Sequence, residues 1–264
     1  MRSYPAGGLI GKSIRFVRWV LSLGIRVHAA GAGFFIALSV FPGLLLLLGL
    51  LRFTSLEVEW LGELLPSLLP EALAPAAEEL VLLTYDASSG TAIGISALTT
   101  LWSASRGIYG LIGGLNTVYG VTETRSYFRR RWISILYTFG FLLVLLLTLG
   151  VHVFGQMLLG VHAPKLLPLL LFAVQALLLA AVFRGLPDRT GRFREGLPGA
   201  LLGAAGWLVF TDLYSVYIHQ YARLTNVYGS VYGVALSMLW LYCCVSILFY
   251  GALFNRLLVR ENRK

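Results

Sequence analysis

The chain has 264 residues, of which 58% are hydrophobic and only 12% charged, with a mean hydropathy of +0.79. An ordinary soluble domain is about 25% charged, so too little polar side chain is present to cover a water-facing surface of this size. A net charge of +9 would suggest a nucleic-acid partner in a soluble protein, but in a membrane protein the position of the charge carries the meaning.

The first segment, residues 1–30, carries Lys12, Arg15 and Arg18 among Ile10, Ile14, Val17, Val20 and Leu21. That pattern predicts a cytoplasmic or interfacial helix, with Trp19 as an anchor at the headgroups. No clean apolar stretch with a cleavage site follows Met1, so no secretory signal is expected. A single membrane domain is expected over 31–254, with approximate spans at 31–51, 92–114, 133–155, 166–184, 197–218 and 230–254, and a short tail at 255–264. Each interval approaches the ~20 apolar residues that a helix needs to cross the hydrocarbon layer. The expected fold class is all-α: a polytopic six-span bundle with short amphipathic helices.

Between the first two spans, 52–91 forms an exported loop. Trp60, Leu61, Leu64, Leu65, Leu68 and Leu69 recur at helical spacing, and Pro66, Pro70 and Pro75 interrupt them, which predicts two short amphipathic helices. A cap over helix ends is the favoured role, with a lid or a docking surface as alternatives. Four basic clusters then alternate along the chain: Arg2 to Arg26, Arg125 to Arg131, Arg184 to Arg194, and Arg256 to Lys264. Only Arg52, Lys165 and Arg223 fall in the opposite connections. The positive-inside rule places the clusters, and both chain ends, in the cytoplasm. Topology thus accounts for the charge, and no nucleic-acid partner is expected.

Within the second expected span, Arg106 would be costly in lipid, by about 2.5–3.5 kcal/mol near the centre. It is expected to face the bundle interior, a cavity or a phosphate-bearing ligand. Thr99 and Ser103 share its side by three-to-four spacing, and Ser96 extends that side. Asp212 is the charged counterpart in the fifth span, separated in depth by roughly 10 Å at 1.5 Å per residue. A direct or water-bridged pair, separate places along one polar path, and exposure through a shifted span boundary all remain open. Pro42 is expected to bend the first span, while Gly107, the pair Gly199 and Gly203, and the pair Gly229 and Gly233 would allow close helix packing. The adjacent Cys243 and Cys244 point apart on a helix and are expected as buried free thiols.

Several strings resemble the YihY/BrkB family of bacterial inner-membrane proteins. They are Ser39–Val40–Phe41–Pro42, the run LWSASRGIYGLIGGLNTVYGVTETRSYFRRR at 101–131, Leu197–Pro198–Gly199–Ala200, and NVYGSVYG at 226–233. The resemblance implies a six-span inner-membrane protein and helix-end roles for Asn116, Tyr119, Asn226 and Tyr228. It also brings a virulence-factor label, an older ribonuclease label and a suggestion of lipid or lipid-precursor movement. Unlike larger members, this chain is expected to end soon after its last span, leaving no added soluble domain.

Its four histidines, His28, His152, His162 and His219, form no compact metal-ligand motif, and the expected topology spreads them over different ends of the bundle. No zinc-like spacing or phosphate-binding glycine signature appears, so no metal, other cofactor or ribonuclease chemistry is expected. Two functions remain. One is a transporter, flippase-like protein or conduit for an anionic phospholipid or lipid-linked saccharide. The other is a non-transport structural or interaction protein, acting as a homo-oligomer or with a protein partner.

Overall fold

A computed structural model describes residues 9–51, 90–158, 166–189, 191–221 and 225–261. These residues form α1 (Leu9–Ser22), α2 (Ile25–Leu51), α3 (Gly90–Tyr119), α4 (Tyr127–Leu158), α5 (Leu166–Gly185), α6 (Phe193–Tyr221) and α7 (Thr225–Glu261). The described chain is all-α. The exported loop of the sequence reading falls, up to residue 89, outside the described residues.

The expectation of six full spans does not hold. Among the described residues, three helical stretches are long and apolar enough to cross a membrane: Gly11–Ser39, Phe193–Ile218 and Gly233–Val259. The described apolar stretch Leu169–Gly185 of α5 is shorter than these three. The 30-residue α3 has the length but not the apolarity; Ser96, Thr99, Thr100, Ser103, Ser105 and Arg106 dilute it. At the N-terminus the apolar stretch begins at Gly11 and crosses the α1–α2 junction, rather than starting at residue 31. Gly24 makes that junction, with φ at +61°, a conformation that glycine adopts without a Cβ clash.

Packing follows the small residues. α3 lies along α2 and also touches α4 and α7; α2 packs on α7, α5 on α6, and α6 on α7. Ala29, Ala32, Leu111, Ile112, Leu115, Phe183, Ala200, Phe249 and Ala252 lie in the buried core. Many large apolar side chains face outward instead, Val27, Leu98, Phe128, Trp132 and Leu213 among them, as a lipid-solvated surface allows.

One end of the bundle gathers the basic segments. α3 stops at Gly120, whose φ is +68°. The Val121 amide donates to Asn116 O and the Gly120 amide to Thr117 O, the pairing of a Schellman cap. Arg256 of α7 donates to Val118 O at 2.5 Å and lies 5.1 Å over the Trp19 ring of α1. A cation therefore meets the negative end of α3, and early and late parts of the chain share this end.

Candidate functional site

The α2–α3 seam is built on glycine. A Cβ on Gly107 would come within 2.7 Å of Ile36 Cγ1, and one on Gly110 within 3.3 Å of Ala32. Gly43 meets Thr100 farther along, so the two helices run antiparallel. Ser96, Thr100 and Ser103 are buried on the seam face of α3. The Oγ1 of Thr100 and the Oγ of Ser103 have no hydrogen-bond partner among the described residues.

At 100° per residue, Ser96, Thr100, Ser103, Gly107 and Gly114 stay close to one line, whereas Thr99 and Arg106 fall about 60–80° to its side. Thr99 is accordingly exposed and bonds back to Ile95 O at 2.8 Å. Arg106 sits on the rim. Its guanidinium carbon lies 5.3 Å from the Phe35 ring centre and 5.6 Å from that of Trp102. Among the described residues, Arg106 Nε is buried without a hydrogen-bond partner and its guanidinium forms no ion pair.

A cavity of about 240 Å³ opens beside it, lined by Val27, His28, Gly31, Ala32, Phe35, Arg106, Tyr109 and Gly110. His28 Nε2 approaches Thr117 Oγ1 at 3.4 Å, and Tyr109 is stacked under Arg130 at 4.8 Å. Arg106, Tyr109 and His28 thus share the cavity lining, and Arg130 lies against the Tyr109 ring.

A second polar cluster ties the end of α3 to the α5–α6 turn. Asn116, 5% exposed, donates to Glu123 Oε2 at 2.7 Å and accepts the Asp188 amide at 2.8 Å. Arg125 grips Glu123 through Nε and NH2 at 2.8 and 2.9 Å and donates to Leu186 O at 2.8 Å. The backbone N–H and hydroxyl of Thr124 both donate to Asp188 Oδ2. Burial raises the Glu123 carboxyl, but the Arg125 and Asn116 bonds outweigh it and hold the group below its usual range. The Thr124 bonds, aided by Arg125, lower Asp188 likewise. Tyr119 is buried beneath the Arg189 guanidinium at 3.9 Å. The Asn116, Thr124 and Arg125 donors all end on acceptors within the cluster, so this part acts as a clasp between α3 and the α5–α6 turn.

The remaining sequence-selected residues are dispersed. Asp212 is exposed on α6 and forms no ion pair with Arg106. Gly199 faces Gly251 O so closely that a Cβ would fall 2.1 Å from it, and Gly203 faces Leu179. Pro42 lies inside α2, which continues to Leu51. Gly233 is buried on α7; Asn226, Tyr228 and Gly229 are in its first turns, with their surroundings outside the described residues. Cys244 is buried, Cys243 partly so, and both are free. Sequence reasoning passed over His28, Tyr109, Glu123, Arg125, Asp188 and Asn255. A Glu-x-Arg step just after a helix-ending glycine, and an Asn four residues after Gly251 in an apolar run, were the available signals. Among the described residues, no group of three or more His, Cys, Asp or Glu side chains could hold a metal ion.

Residues 20–264 match the family described as Virulence factor BrkB. The chain belongs to this family. A BrkB-family assignment agrees with two relatives. The putative ribonuclease-like protein YfkH of Bacillus subtilis (strain 168) is 27% identical over 266 aligned positions, covering 94% of each chain. A UPF0761 membrane protein of Chromobacterium violaceum is 28% identical over 179, covering 62% of this chain but 39% of its own length. No solved structure matches. Family membership and the apolar helices together make this a multi-span membrane protein.

Proposed function

We propose that this BrkB-family protein moves an anionic lipid or lipid-linked saccharide between the leaflets of the bacterial inner membrane, with Arg106 receiving the anionic group. The supporting observation is the 240 Å³ cavity beside Arg106, whose guanidinium has aromatic neighbours but no carboxylate partner among the described residues. A guanidinium held beside aromatic rings is stabilised by an anion brought from the membrane. Ser96 and Ser103 supply hydroxyls along the adjoining seam. Asp212 stands apart from this path on the outer face of α6. The basic end, where Trp19 and Arg256 meet, faces the cytoplasm in this reading, in keeping with the positive-inside rule. No ATP-binding motif occurs in the sequence, so ATP-driven movement would need a partner.

The test is purified protein in proteoliposomes, with labelled anionic phospholipids and lipid-linked saccharides followed between leaflets. Facilitated movement lost in folded Arg106→Ala protein supports the conduit. No movement across the panel supports a second reading, a structural or interaction role. That alternative draws on the stacking of Arg106 against Phe35 and Trp102, which can join α2 to α3 without a ligand.

A further inference from the structure

We infer, resting on the reading of Arg106 as a headgroup residue, that the α2–α3 cavity is a side-entry seat for a lipid whose headgroup is little more than a phosphate, such as phosphatidic acid. Three features carry this. The first is donor geometry. Phe35 and Trp102 flank the Arg106 guanidinium at 5.3 and 5.6 Å, and its Nε has no hydrogen-bond partner among the described residues, so donors remain for the paired bonds that a phosphate accepts. His28 and Tyr109 bring further polar groups to the same cavity.

The second feature is size. Pockets for drug-sized ligands run from about 300 to 1,000 Å³, and this cavity is about 240 Å³. A phosphate and a few attached atoms fit within it. Gly31 is part of the lining, and a Cβ added there would meet nothing within 4 Å, so a larger side chain has room to occupy the space.

The third feature is what borders the cavity. Val27, at its lip, is 76% exposed, and Phe34 and Leu38 on α2 and Leu98 and Trp102 on α3 are exposed as well. Phe35 meets Trp102 edge-on at 6.3 Å, so these two apolar rows are neighbours across the seam. An acyl chain lying over them would remain in the bilayer while its phosphate turned inward. A free phosphate ion has no use for such a border, which favours a lipid.

Native mass spectrometry of the delipidated full chain tests the seat. Phosphatidic acid, phosphatidylcholine and phosphatidylglycerol compete at equal concentration, with inorganic phosphate added in a separate arm. The expected result is one phosphatidic acid retained in preference to the others. R106Q should weaken it about tenfold, the equivalent of ~1.4 kcal/mol, and G31L, whose side chain would project into the cavity, should abolish the preference. If G31L does not elute as a folded species, G31A serves as the smaller obstruction and should reduce retention. Equal retention of phosphatidic acid and phosphatidylcholine, unchanged binding in R106Q, or preference for phosphatidylglycerol would overturn the seat. Full displacement by millimolar inorganic phosphate would overturn its assignment to lipid. Leaflet-to-leaflet movement is read separately. Binding without movement removes the conduit and leaves the seat, and movement without selective binding does the reverse.

Discussion

Asn255 offers a test of how the two long C-terminal helices are joined. Its side chain is fully buried; Oδ1 accepts the Gly199 amide at 2.6 Å, and Nδ2 donates to Gly196 O at 3.0 Å. Pro198, lacking an amide hydrogen and crowding the preceding turn, loosens the α6 ladder where Asn255 inserts. Each such bond contributes about 0.5–1.5 kcal/mol net, and bilayer-embedded polar contacts average about 0.6. Asn255→Ala removes both bonds and opens a small void, a loss of about 2 kcal/mol in all. At about 2–4 °C per kcal/mol, the Tm in detergent should fall by about 4–8 °C. Asn255→Asp keeps the acceptor for Gly199 but sets a carboxylate oxygen against Gly196 O. It should therefore be at least as unstable as the alanine variant at neutral pH and recover on acidification, when a protonated carboxyl can donate. Thermal unfolding by tryptophan fluorescence, checked by gel filtration, measures both. An alanine variant within about 1 °C of wild type, or an aspartate variant matching wild type at pH 7, would refute the bridge.

Three further outcomes follow from the geometry. Gly120→Ala places a Cβ where φ is +68° and 2.6 Å from an Arg256 nitrogen, so it should cost about 1–2 kcal/mol, read as a lower Tm. Glu123 and Asp188 both titrate below their usual values of 4.5 and 3.8. Their contribution is complete above those values and is lost as pH falls through the depressed folded-state ones. Wild type should thus lose stability below about pH 4.5, and a Glu123→Gln, Asp188→Asn double variant should lose less over the same acid range in a Tm series. Asp212→Asn should leave lipid movement within about twofold of wild type, a barrier change below ~0.5 kcal/mol, while Arg106→Ala lowers it severalfold; equal losses would put Asp212 on the path.

Composition made the all-helical membrane character legible, because 12% charge cannot clothe a soluble surface of this size. The span count was overstated for a physical reason. Hydropathy over a window does not weigh hydroxyls that a neighbouring helix buries, and α3 spends its polar residues on the seam with α2. Helical spacing placed Ser96 and Ser103 on one face but missed that Thr100, not Thr99, continues that line. Asn116 was selected as a family-like helix end, yet its partners Glu123 and Asp188 are seven and 72 residues away in sequence. Only tertiary packing brings the latter near. The cavity itself arises from a register between α2 and α3 that neither helix encodes alone.

A structure of the full chain in a lipid nanodisc containing phosphatidic acid would address the central claim most directly. Phosphate density within hydrogen-bonding distance of the Arg106 guanidinium, with its acyl chain beside Phe34 and Trp102, is the result expected. An acyl chain filling that cavity, with every phosphate held at the basic end around Arg129 and Arg192, would contradict it.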